Sequence, residues 1–179
     1  VQDHLAIGYT AGELSRIMDS GKTAVLLGLE GLDGLGTEPD WLHTLYHLGF
    51  RHAMLTWSTD NAFAAGSAHE GPGDGLTDLG AEALRLMERL GMLVDVSHAS
   101  EKTFWDVVAH TEKPFIASHS NAWSLCPAKR NLKDDQIRAI AERGGVIGMN
   151  AWGSFIDPEH ATVDRLADHA AYIADMVGT

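Results

Sequence analysis

The stretch LVDVSHAS, residues 93–100, decides the reading of this chain. It is apolar at Leu93, Val94 and Val96 and then stops at Ser97 and His98. PFIASHSN, from Pro114 to Asn121, repeats the design and puts His119 21 residues after His98. A lone histidine at a strand end is more often a hydrogen-bonded structural residue than a ligand. Two on successive strand ends point to a site, because parallel α/β folds gather their functional groups at the carboxyl ends of strands.

Working outward, TAVLLGLE (23–30), FRHAMLT (50–56), MLVDVS (92–97), PFIAS (114–118) and GVIGMN (145–150) read as strands. Short continuous apolar runs of this kind suit parallel strands covered on both faces. Amphipathic helices lie between them with clear punctuation. Thr10 and Glu13 form a capping box before Leu14, Ile17 and Met18, and Gly21 closes that helix. Others open at Thr77 and end at Gly91, open at Ser100, open at Asp134 or Asp135 and stop at Gly144, and run from Thr162 to Gly178. A further helix is expected around residues 40–48. The Gly-rich segment AAGSAHEGPGDG (64–75) reads as a surface excursion. The alternation αβαβαβαβαβα predicts a parallel sheet with right-handed crossovers. Five strands suit either a small doubly wound sheet or five of the eight strands of a (β/α)8 TIM barrel.

Bulk properties narrow the classes. The chain has 179 residues, 45% of them hydrophobic and 21% charged, so it reads as globular and as one domain, 1–179. A net charge of −12 argues against nucleic acid and anionic lipid as partners. No apolar run approaches a membrane span. One cysteine, Cys126, permits no internal disulfide and fits a reducing, cytoplasmic compartment. The first residues read as neither signal nor transit peptide. They lack an initiator methionine, which suggests a start within a longer gene product.

The strand ends carry the chemistry. The first ends in Glu30, the second in Thr56 and Trp57, the third in His98, the fourth in His119 and the fifth in Asn150. One carboxylate and two imidazoles suit a zinc-like ion, and three protein ligands leave a position for water. Each residue also has a structural reading, Glu30 as a helix cap and the histidines as packing residues. The remaining histidines fall in helices, loops or early strand positions and read as solvated or structural. Asp95, inside a strand, needs a partner, either to orient a ligand or to bind backbone. Arg130, after Pro127, reads from spacing alone as a surface cation. There is no G-x-S-x-G elbow, no P-loop and no C-x-x-C.

The segments GLTDLGAEALRLMERLGMLVDVSHASEKTFWDVV (75–108) and PFIASHSNAWSLCPAKRNLKDDQIRAIAERGGVIGMN (114–150) closely resemble the renal (membrane) dipeptidase family. LLGLEG and LTWSTDNAFAAGS resemble it as well. The resemblance implies a metallopeptidase of the amidohydrolase-like (β/α)8 barrel type. It implies two zinc ions in the complete enzyme and hydrolysis of L,L-dipeptides and some L,D-dipeptides by a metal-bound hydroxide. It further implies a homodimer. Glu30 resembles the carboxylate that bridges both zincs, and His98 and His119 the other ligands of the second zinc. Arg130, with Asn131 and Trp57, resembles the substrate-binding positions, which overturns the surface reading of Arg130. Asp95 stays a supporting residue.

Three departures stand out. Trp57 replaces the substrate-contacting histidine of the animal enzymes. The H-x-D motif that serves the first zinc is absent, and so is the late aspartate that handles the proton. No catalytic acid or base is therefore expected in this chain. The expectation is an incomplete barrel, strands three to seven, lacking the first two strands and the last, with one metal half-site complete. Another metal-dependent amidase or lactonase on the same barrel, or a non-catalytic fragment, remains the alternative.

Overall fold

The computed structural model describes residues 3–71 and 74–178. Strand β1 (Leu5–Ile7) pairs in parallel with β2 (Thr23–Val25). After Leu26 the same stretch continues as β3 (Leu27–Leu29), which pairs in parallel with β4 (Phe50–Met54); β4 pairs in parallel with β5 (Leu93–Asp95). The ladder runs on through parallel bridges from Asp95 to Ile116 and from Ala117 to Ile147. Its hydrogen bonds include Val96 N–H to the Ile116 carbonyl and Gly148 N–H to the Ala117 carbonyl, both 2.8 Å. The two last expected strands are thus present in the ladder as short bridged segments. β1 was not expected, because three residues are too few to show a period.

Each strand joins the far side of its predecessor, in chain order and without reversal. A doubly wound sheet reverses its order at a switch point, whereas a barrel wall does not. The succession therefore decides between the two architectures that alternation left open, in favour of the barrel wall.

The helices form where local chemistry starts and stops them. Helix α1 (Ala11–Asp19) begins at Thr10, whose hydroxyl accepts the Glu13 N–H, while the Glu13 carboxylate accepts the Tyr9 N–H at 2.8 Å. After α2 (Trp41–His47) comes α3 (Asp78–Leu90), capped by Thr77 and ended by Gly91 at φ 76°, a left-handed position that favours glycine. Ser100 caps α4 (Glu101–His110), and the Lys133 N–H bonds the Gln136 side chain at the start of α5 (Asp134–Glu142). The short α6 (Gly153–Ile156) was not expected; α7 (Val163–Val177) opens at Thr162 as expected.

Strand alternation sorts the side chains onto two faces. Leu29, Ala53, Leu55, Val94, Val96, Phe115, Ala117 and Ile147 join Leu84, Met87, Phe104, Val107, Ile137 and Ile140 of α3, α4 and α5 in one core. The opposite parity presents Gly28, Glu30, His52, Asp95, Ser97 and Ser118. Helices bury the first face; the second, where Met54 and Thr56 are also buried, turns polar toward its carboxyl end.

The segment 64–75 is also corrected in part. Ala64, Ala65 and Ser67 are buried. Ala65 N–H bonds the Gly75 carbonyl at 3.1 Å, Ser100 N–H bonds the Ala65 carbonyl at 3.0 Å, and Ser67 N–H bonds the His98 carbonyl at 2.7 Å. Its first half is a fitted wall of the site. Residues 72 and 73 of the segment lie outside the described residues.

Candidate metal centre

Glu30 is the first residue past β3, His98 follows β5 by three residues, and His119 follows the bridged segment 116–117. The structure brings all three together. The Glu30 Oε1 atom lies 3.0 Å from His98 Nε2 and 3.4 Å from His119 Nε2, and the two Nε2 atoms are 2.9 Å apart. Ligand atoms at about 2.0–2.1 Å from a tetrahedral ion sit about 3.3 Å from one another. The three atoms are close enough to one another to hold a shared cation.

The partners of the other ring nitrogens are compatible with this. His98 Nδ1 lies 2.9 Å from the Ser58 hydroxyl, and His119 Nδ1 lies 2.8 Å from the Ser118 hydroxyl. In the tautomer that donates each Nδ1–H to its hydroxyl oxygen, both Nε2 atoms keep their lone pairs. Three acceptors then face one another with no proton among them, an arrangement that a cation relieves. Burial, above all, and then the charge of Arg130 push His98 down to about 4, against the pull of Glu30. Burial and Arg130 push His119 down as well. Both shifts favour the neutral form of the ring, which is the form that coordinates.

His98 is held at φ 71°, the one non-glycine residue with positive φ among the described residues. Such conformations are uncommon and persist where surroundings over-determine them. Here Ser67 N–H and, more weakly, the Thr56 hydroxyl at 3.4 Å donate to its carbonyl, Ser58 fixes its ring, and Trp57 stacks on it at 5.6 Å between centroids and 27° between planes. Replacing Ser58 by alanine is expected to weaken metal binding about tenfold without loss of the fold, in line with supporting partners elsewhere. Competition with a chelating dye would show it, and unchanged affinity would remove Ser58 from the account.

Asp95 sits at the root of the cluster with its side chain fully buried. Its Oδ2 is 2.7 Å from His52 Nε2, and its Oδ1 accepts the N–H groups of Ser97 at 2.8 Å and Ser118 at 3.1 Å. Burial raises its pKa, but hydrogen bonds from His52, Ser118 and Ser97 outweigh burial and hold it below the ordinary carboxylate range. Asp95 thus grips the backbone one residue ahead of each histidine. The Ser97 hydroxyl adds a bond from His119 N–H at 3.1 Å. The sequence reading missed His52, Ser58 and the two serines; the repeated Ser-His dipeptide was the available signal for the latter pair.

Arg130 is buried, not a surface cation. Its Nη2 reaches the His119 carbonyl only at 3.4 Å, its guanidinium lies 5.8 Å from the centre of the Phe155 ring, and its Nε has no hydrogen-bond partner. Burial lowers its pKa to about 10, opposed by Asp95 and Glu30, and it stays charged at neutral pH. With His98 it borders a cavity of about 570 Å³ between the starts of α4 and α5. Trp57 stands half exposed beside His98. Asn131 is corrected: its amide group donates to the carbonyls of Cys126 and Phe155, both at 2.8 Å, and its oxygen accepts from Asn121 N–H at 3.3 Å. With both amide hydrogens committed, it braces the loop and has no donor left for a ligand. His169, taken as solvated or structural, is a buried structural residue between Ala122 N–H and the Ile156 carbonyl.

The sequence profile of the membrane dipeptidases (peptidase family M19) matches residues 1–179. Dipeptidase tcpJ of Claviceps purpurea is 35% identical over 98% of this chain and 42% of its own length. An uncharacterized dipeptidase of Schizosaccharomyces pombe is 39% identical over 92% of this chain and 41% of its own length. The chain therefore spans less than half the length of these relatives. Among solved structures, a metallo peptidase from Rhodobacter sphaeroides, liganded with a phosphinate mimic of the dipeptide L-Ala-D-Ala, superposes with a TM-score of 0.90 at 29% identity, over 97% of this chain and 52% of that one. The metallo peptidase dipeptidase AC superposes equally, with a TM-score of 0.90 and 29% identity over 97% of this chain and 54% of that one. With its profile matched from end to end and its carboxylate and two imidazoles gathered at the strand ends, the chain belongs to the membrane dipeptidase family.

Proposed function

We propose that residues 1–179 supply one zinc half-site and the carboxylate-binding wall of a dipeptidase that hydrolyses L,L-dipeptides and some L,D-dipeptides. The reading takes the chain as part of one larger barrel domain, in a cytoplasmic homodimer of the whole protein. The carrying observation is the convergence of Glu30, His98 and His119, three acceptors within 3.4 Å. Two imidazoles and a carboxylate suit zinc. When bound, zinc polarises the scissile carbonyl and makes a water molecule a competent nucleophile near neutral pH. Asp95 fixes the approach of both histidines through their strands. Arg130, buried and short of partners beside His98, takes the substrate's terminal carboxylate. The half-exposed ring of Trp57 offers an apolar wall where a polar contact would otherwise act. A helix long and apolar enough to cross a membrane is absent among the described residues.

The test is Arg130→Met in the metal-loaded whole protein, of which residues 1–179 are part, assayed on Ala-Ala and on its C-terminal amide. The parent is expected to hydrolyse the amide at least about tenfold less efficiently, and the variant to lose at least that much on Ala-Ala alone, since a buried charge-assisted pair is being removed. Equal losses on both substrates would assign Arg130 to the fold instead. Failure of the parent to hydrolyse any dipeptide would sink the reading itself.

A further inference from the structure

The inference rests on the dipeptidase reading and concerns which dipeptides the site selects. The basic side chains of the cavity beside His98 fall into two groups. Lys102, Lys133 and His69 each have a carboxylate: Asp106 for the first, Glu101 at 2.7 Å for the second, and Asp60 at 2.6 Å for the third. Asp74, on the same cavity wall, lies 3.8 Å from the far nitrogen of His69. Lys129 and Arg130 have no ion-pair partner among the described residues. Lys129 Nζ reaches only the His69 carbonyl, at 3.5 Å.

Two adjacent cations without counter-ions are unusual on a chain of net charge −12, and a cleft concentrates their field. A substrate's terminal carboxylate neutralises one of them, Arg130. The second, Lys129, lines the same cavity and is within one residue of Arg130, near where the side chain of that terminal residue would lie. The exposed ammonium on its flexible stem can follow side chains of different lengths.

We propose that Lys129 forms a second anionic subsite, which makes the enzyme prefer dipeptides with aspartate or glutamate at the C-terminal position. Ala-Asp and Ala-Glu are bound by two carboxylates, Ala-Asn and Ala-Gln by one, with nearly the same shape. Because Lys129 is exposed, the preference is modest, about two- to fivefold in kcat/KM for acid over amide. It shrinks as salt is raised.

The experiment measures kcat/KM of the metal-loaded whole protein, of which residues 1–179 are part, on the four substrates and on Ala-Ala, at low and high salt, for the parent, Lys129→Gln and Lys129→Glu. The expected result is an acid-over-amide ratio above two in the parent, near one in Lys129→Gln and below one in Lys129→Glu. A parent ratio near one with all five dipeptides hydrolysed overturns the subsite and leaves the dipeptidase reading standing. A parent ratio above two that survives Lys129→Gln overturns the role of Lys129. If none of the five is hydrolysed, the dipeptidase reading fails and the subsite with it.

Discussion

Replacing His119 by alanine is expected to lower zinc affinity by well over 100-fold, and His98→Ala by a similar factor. Loss of a residue that only supports a ligand already costs about 10- to 100-fold, and in the proposed site these two are the ligands themselves. Each presents its Nε2 to the cluster and has a hydroxyl beside the opposite ring nitrogen, 2.9 Å from Ser58 for His98 and 2.8 Å from Ser118 for His119. Removing either leaves one imidazole and Glu30, a set with no claim on zinc over any other divalent ion. His119→Ala is the cleaner variant, because His98 holds a left-handed backbone position and its replacement also changes a strained turn. Equilibrium competition against a chelating dye reads the affinity, and circular dichroism confirms that the fold persists. Affinity within threefold of the parent for both variants would mean that the cluster holds no metal.

The second large effect is on stability. Asp95→Ala is expected to destabilise the protein by about 3 kcal/mol, since it strips a buried carboxylate from His52 and from two backbone N–H groups at once. For a domain of this size that corresponds to a fall in Tm of about 6–12 °C. Asp95→Asn keeps an acceptor for the Ser97 and Ser118 N–H groups and should lose about half as much. The pH dependence follows from the lowered pKa of Asp95. Its stabilisation is complete above the unfolded carboxylate value of about 4 and is lost as pH falls through the lower folded value. The parent should therefore lose stability on acidification in a way that Asp95→Asn does not. Thermal unfolding of the three proteins between pH 3 and 7 makes the comparison. A loss below 1 kcal/mol for Asp95→Ala would show that water replaces the carboxylate without strain. Zinc affinity should fall in the same variant, as the strands that carry His98 and His119 lose their common anchor.

Much of this architecture is local and was legible in residue order. Thr10, Thr77, Ser100 and Thr162 each cap the helix that the pattern assigned to them, because a side-chain oxygen three residues ahead of a free N–H needs nothing from the rest of the chain. Strand ends were legible for the same reason: an apolar run that halts at Ser-His marks where a buried strand reaches the site. β1, at three residues, was too short to carry a period, and α6 has no cap from its own side chain.

By itself, then, the sequence determined the alternation of strands and helices, the caps, and the residues standing at the strand mouths, since these depend on neighbours a few positions away. Only the tertiary structure decided that the strands follow one another without reversal and that Glu30 meets two imidazoles. It alone showed that His98 is held in a left-handed turn by the segment before it, that Arg130 is buried without a partner, and that Asn131 is spent on the backbone. Each of these joins distant parts of the chain, as His52 and Asp95 do across 43 residues. Such pairings are set by sheet register and by the competition of buried polar groups for partners, and neither is written in any local stretch.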